Sequence, residues 1–157
     1  MSQRDRVFIS YSHQDRKWLD KLQTTLKPLV RSETVNVWAD TALKAGTKWR
    51  DEIEKALASA GVAVLLVSPN FLASDFIVER ELPALLEAAE RDGATILWAA
   101  VSACLFEETE LAKYQAMNDP ARPLDTLKAS DLNKEMVNLA RQIKAAVVQA
   151  AQRQSQS

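Results

Sequence analysis

The sequence predicts an α/β fold: a flavodoxin-like open parallel sheet of about five strands, with helices on both faces. Three observations lead to it. Short apolar runs alternate with stretches of helical periodicity along the chain. One of these runs, 62–67, is continuously apolar, which marks a strand covered on both sides and therefore a parallel sheet. The connections are short, as strand–helix repeats require. Right-handed crossovers then leave few topologies, and the flavodoxin-like order fits best.

The elements follow in order. Arg6-Val7-Phe8-Ile9-Ser10-Tyr11 is rich in β-branched and aromatic residues and reads as a buried strand. Ser12 or Asp15 can cap the helix after it, whose apolar stripe is Trp18, Leu19, Leu22, Leu26 and Leu29. Val35-Asn36-Val37-Trp38 is a short strand suited to a sheet edge. Residues 39–47 form a loop, and Trp49, Ile53, Ala56, Leu57 and Ala60 make a second helical stripe closed by Gly61. The strand 62–67 ends at Ser68-Pro69-Asn70. Ser74 or Asp75 can cap a helix whose face is Val78, Leu82, Leu85, Leu86 and Ala89. Pro83 cannot sit deep in a helix, so a helix start or kink is expected near residues 80–83. After the strand 95–101, Cys104 reads as a small buried residue. Residues 106–114 suggest a short helix, and Pro123-Leu124 a border for a short fifth strand. Met136, Leu139, Ala140, Ile143 and Val147 define the last helix.

Length and composition bound the rest. The chain has 157 residues with 47% hydrophobic and 26% charged, which suits one domain with one core. That domain is assigned to 1–150, and 151–157 to a polar tail or the start of a linker. A net charge of −1 without a basic run points away from nucleic acid. One cysteine rules out an internal disulfide, and one histidine, His13, rules out a multi-histidine zinc site, so no metal is expected. His13 itself reads as a solvent-exposed loop residue. Three glycines are too few for a Gly-rich phosphate loop. No run reaches the ~20 apolar residues of a membrane span, and no apolar signal core follows the N-terminus. The expected location is cytoplasmic, away from any membrane.

Ligands of open parallel sheets bind beyond the carboxyl ends of the strands. Here that edge comprises residues 10–15, 39–47, 68–75 and the loop after Val101. At this edge the sequence becomes specific. Phe8-Ile9-Ser10-Tyr11-Ser12 with Asp15, then Trp38-Ala39-Asp40 with Leu43-Lys44-Ala45-Gly46 and Trp49, then 64–74, then Ile77 to Glu81 leading into Leu82, stand in order. Together they resemble a TIR domain of bacterial type over roughly residues 6–86.

The resemblance implies one of two functions. Many TIR domains are protein-interaction modules in immune signalling; many bacterial and plant ones cleave NAD at the nicotinamide–ribose bond. On the NAD-cleaving branch, NAD is the substrate and no cofactor is needed. The products are nicotinamide and ADP-ribose or a cyclic isomer. Activity depends on TIR–TIR self-association, and bacterial members serve antiphage defence or virulence. Other domains of a longer chain are a further class of partner.

The chemistry asks for little. The transition state is oxocarbenium-like. Nicotinamide leaves as a neutral base from a cationic ring, so no acid need protonate it. One carboxylate can orient the ribose and stabilise the developing positive charge. By resemblance that carboxylate is Glu81, with Glu79 the alternative. The family's aromatic residue normally stands four positions before the glutamate. Here Ile77 holds that position and Phe76 lies one earlier. A solvated first-turn glutamate is the competing role for Glu81.

The same resemblance assigns Ser10 and Tyr11 to the ribose pocket, while each also suits ordinary core packing. Asp40 either meets the ligand or caps its own loop. Leu43 and Gly46 belong to a loop that borders the pocket and contacts a second protomer, and Gly46 supplies conformational freedom. Trp49 packs in its helix stripe and can wall the site, and Ile77 can wall the nicotinamide. A phosphoreceiver domain is excluded because Ser10-Tyr11-Ser12 and Ser68-Pro69 stand where its acidic residues belong, and a flavodoxin because residues 12–15 are too short for its phosphate loop. A nucleoside deoxyribosyltransferase is a distant alternative. The nearer rival is a non-catalytic TIR interaction module.

Overall fold

The computed structural model describes residues 6–39, 61–75 and 77–155. Within them, β1 (Arg6–Ser10), β2 (Asn36–Ala39), β3 (Val62–Val67) and β4 (Thr95–Ala100) form one parallel sheet in the order β2-β1-β3-β4. This is the flavodoxin-like order, with β2 at the edge as expected. Ser10 stands opposite Leu65, and Leu65 opposite Trp98. All residues of β3 are buried, as its unbroken apolar run requires.

The pleat divides the core into two layers. Val7, Ile9 and Tyr11 pack with Trp18, Leu19, Leu22 and Leu26 of α1 (Arg16–Arg31). Met136, Leu139, Ala140, Ile143 and Val147 of α4 (Ala129–Ser155) join the same layer. Phe8, Ala63 and Leu65 face the other layer, with Phe71 of α2 (Pro69–Ala73), Ile77, and Leu82 and Leu85 of α3 (Leu82–Asp92). The expected stripes of the first and last helices are thus the buried ones. The stripe from Trp49 to Ala60 lies outside the described residues.

The third expected stripe is displaced by one residue at its start. Val78 is 41% exposed, whereas Ile77 is 3% exposed. The cause is a π-helix over Ile77–Glu81, immediately before α3. Pro83 has no N–H to give to the carbonyl of Glu79, and its ring collides with that carbonyl in an α-helix. The widened i→i+5 turn sits where that conflict falls. In an α-helix Val78 would share a face with Leu82. In the π-turn it is Ile77, five residues before Leu82, that does so. Ser74 caps the segment, its Oγ accepting from Ile77 N–H at 3.3 Å.

The expected fifth strand is replaced by something smaller. Among the described residues, the side of β4 away from β3 meets only an isolated parallel bridge between Trp98 and Ala116. Met117 N–H donates to the Trp98 carbonyl at 2.7 Å. The side chain of buried Asn118 then does what a strand backbone would do. Its Oδ1 accepts from Ala100 N–H at 2.7 Å and its Nδ2 donates to the Ala100 carbonyl at 3.0 Å. Pro120 and Pro123 follow, and Leu124–Thr126 closes into a 3-10 turn where the strand border was expected. Residues 106–114 form two 3-10 turns, Phe106–Glu108 and Glu110–Lys113, rather than a helix. Cys104 is half-buried, not buried, and desolvation holds its thiol above the ordinary pKa. No helix among the described residues is long and apolar enough to cross a membrane.

Asn118→Ala removes both bonds to Ala100 and leaves two buried backbone groups unpaired. The expected loss is about 2–4 kcal/mol of stability, read as a lower urea midpoint. Asn118→Leu, similar in volume, should fare no better.

Candidate functional site

The carboxyl ends of β1 and β3 lie side by side at the centre of the sheet. Beyond β1 the chain makes a 3-10 turn, His13–Asp15, capped by Ser12, whose Oγ accepts from Gln14 N–H at 3.3 Å. Ser12 is therefore the capping residue, and Asp15 makes no side-chain cap to α1. Asp15 instead turns inward, 7% exposed. One of its oxygens accepts from the Ser68 hydroxyl, and the other accepts from Asn70 Nδ2 at 3.1 Å. Ser68, itself buried, also accepts from Phe71 N–H at 3.0 Å and so starts α2.

This network ties the exit of β1 to the exit of β3 across more than fifty residues of sequence. It also decides what Ser68 can do. Its proton is committed to Asp15 and its lone pair to a backbone amide, so it is no free nucleophile. Asn70 is exposed and held by one amide hydrogen.

Ser10 lies beside this tie and is 1% exposed. Strand alternation puts it on the face of Phe8, toward the layer that contains Ile77. Its Oγ has no hydrogen-bond partner among the described residues. An unpaired buried hydroxyl costs about 1–3 kcal/mol and calls for an explanation. Tyr11 packs in the opposite layer, its ring 5.7 Å from that of His13. His13 is exposed. The fold thus brings Ser10 and Ile77 to one side of the sheet and sends Tyr11 to the other.

Glu81 closes the π-helix, at the irregular turn expected near Pro83; its side chain lies outside the described residues. Glu79 is exposed on the same turn. Asp40, Leu43, Gly46 and Trp49 also lie outside the described residues. A cavity of about 560 Å³ opens elsewhere, beside β4, lined by Trp98, Phe106, Tyr114, Met117, Asn118 and Glu135; none of the described candidate residues borders it.

The family model of the TIR domain matches residues 7–143. The chain belongs to the TIR domain family. The match takes in all of the described sheet except Arg6, and more than half of α4. An uncharacterised protein of Sinorhizobium fredii (strain NBRC 101917 / NGR234), y4lF, is 26% identical over 140 residues. That alignment covers 89% of this chain and 43% of the relative, so the TIR domain here spans less than half the length of that protein. Among solved structures, the TIR domains of the activated Roq1 resistosome directly recognising the pathogen effector XopQ superpose with a TM-score of 0.50 at 21% identity. The superposition covers 94% of this chain and 83% of that one, and speaks for the fold.

The sequence indicated the irregular turn near Glu81 but not the pairing of Asp15 with Ser68 and Asn70. Two polar residues at neighbouring strand exits were the available signal; nothing local says that they face each other. Asp15→Asn and Ser68→Ala should each destabilise the TIR domain by about 1–3 kcal/mol. Their double-mutant cycle should show a coupling of about 1–2 kcal/mol in chemical denaturation. Strict additivity would mean that the two side chains do not act as a pair.

Proposed function

We propose that this TIR domain cleaves NAD at the nicotinamide–ribose bond, releasing nicotinamide and ADP-ribose or its cyclic isomer, and does so when self-associated. The observation that carries the reading is the buried Ser10 hydroxyl without a partner among the described residues, at the central carboxyl edge, on the side of the sheet where the π-helix bears Glu81. A polar group left unsatisfied at a ligand edge is what a bound ribose hydroxyl would complete.

The π-turn supports the choice of glutamate. Hydrogen bonding there runs i→i+5, so residues five apart stand as residues four apart stand in an α-helix. Phe76 and Glu81 are five apart. On that count we read the family's aromatic-x-x-x-Glu pattern in this sequence as Phe76 and Glu81, one residue longer than usual. Phe76 itself lies outside the described residues, whereas the backbone of Ile77–Glu81 is described. Ile77, buried in the core, backs the site from behind. Glu79 is on the outward side of the same turn, which weakens it as the carboxylate.

In the reaction, the C1′–N bond breaks and its electron pair stays with nicotinamide, which leaves neutral. Glu81 stabilises the cationic ribosyl carbon and orients the ribose hydroxyls. Water attacks that carbon and loses a proton to give ADP-ribose; attack from within the same molecule gives the cyclic isomer. Ser10, Asp40, Leu43, Gly46 and Trp49 border the pocket in this reading. The Roq1 TIR domains belong to a resistosome, and head-to-tail TIR–TIR contact is the corresponding proposal here. The setting proposed is bacterial immune signalling.

The test is nicotinamide release from NAD by the domain concentrated on beads. Glu81→Gln should lower the rate about 100-fold or more, Ser10→Ala about tenfold, and Glu79→Gln should leave it within twofold. Loss in Glu79→Gln alone would move the carboxylate to Glu79. No release from assembled wild type would leave a non-catalytic interaction module.

A further inference from the structure

Asp15 and Asn70 together have a property that a structural tie does not need. A tie between β1 and β3 is complete once Ser68 donates to Asp15. Asn70 adds a second bond to a residue that is exposed. An exposed asparagine gains little stability from such a bond, but its amide plane becomes fixed. With one Nδ2 hydrogen given to Asp15, the amide keeps one N–H and its carbonyl oxygen for another molecule. The pair stands at the exits of the two central strands, at the ligand edge of the sheet.

We infer that Asn70, oriented by Asp15, is a specificity-determining residue that recognises a neutral carboxamide, in NAD the carboxamide of nicotinamide. This rests on the glycohydrolase reading. Two independent features select the group. A fixed amide offers one donor and one acceptor in a plane, and a carboxamide returns one acceptor and one donor. A carboxylate in its place returns acceptors only, so the Asn70 carbonyl loses its partner. The second feature is charge. Asp15 is a nearly buried carboxylate that accepts from two neutral donors, Ser68 and Asn70. Its field repels an anionic ring substituent and favours the positive pyridinium ring of NAD. Both features therefore reject the nicotinic-acid analogue of the dinucleotide. Asp15 acts through Asn70 and is a positioning residue.

The experiment compares kcat/KM for NAD and for nicotinic acid adenine dinucleotide, using the bead-assembled domain. Wild type should prefer NAD by about tenfold or more. Asn70→Ala should bring the ratio to within about threefold, mostly by raising KM for NAD. Asp15→Asn should narrow it by improving the acid analogue, an effect that simple loss of fold cannot produce. Unchanged discrimination in folded Asn70→Ala overturns the inference.

A second measurement needs neither turnover nor variants that fold. The side-chain amide resonances of Asn70 are followed in wild type while nicotinamide or nicotinate is added. Shifts with nicotinamide alone support the carboxamide site; equal shifts with both, or none at millimolar concentration, overturn it. Failure of the assembled wild type to release nicotinamide sinks the glycohydrolase reading separately, and the resonance measurement still decides the amide site.

Discussion

The pairing of β3 with both β1 and β4 is the constraint on which the rest of the molecule depends. Every residue of β3 is buried, so each of its backbone polar groups must find a partner within the protein. Parallel neighbours on both sides supply those partners, and parallel neighbours need crossovers that return over the faces. The helices then have to cover two apolar surfaces, and the core divides into two layers. The exits of β1 and β3 are left adjacent at one edge, where no crossover can fill the space between them. That edge is where the polar residues collect: Ser10, Asp15, Ser68 and Asn70.

Two departures from regular structure shape the molecule around this frame. One is the π-turn at Ile77–Glu81. A single proline sets it, by denying one carbonyl its donor, and the consequence is a one-residue shift of everything before it on the helix face. Ile77 moves into the core and Val78 moves out. The other departure is Asn118, whose side-chain amide stands in for a strand at the exposed flank of β4. An amide side chain carries the same donor and acceptor as a peptide unit, so one residue satisfies Ala100 where two prolines disfavour a continuous strand.

The polar tie at the edge and Ser10 contrast in energetic character. Asp15 and Ser68 satisfy each other, and Ser68 also starts α2, so their burial is compensated. Ser10 is buried to a similar degree without a described partner. The Asp15–Ser68–Asn70 tie fixes the rim of the sheet beside Ser10. Preorganisation of this sort lets a ligand gain its hydrogen bonds without first rearranging the protein.

The sequence by itself determined the parallel sheet, its order and the two stripes on the first and last helices, because burial on both faces and helical period are written in the spacing of apolar residues. It also located the irregular turn near Glu81, since Pro83 acts on its own neighbours. Only the tertiary structure decided which layer Ser10, Tyr11 and Ile77 enter, that Asp15 meets Ser68 and Asn70, and that Asn118 replaces a strand. Each of these joins residues distant in the chain or depends on the phase of one turn relative to a sheet. Apolar patterning fixes which faces are buried; the partner of a single polar group is fixed only when two chain segments arrive at the same place.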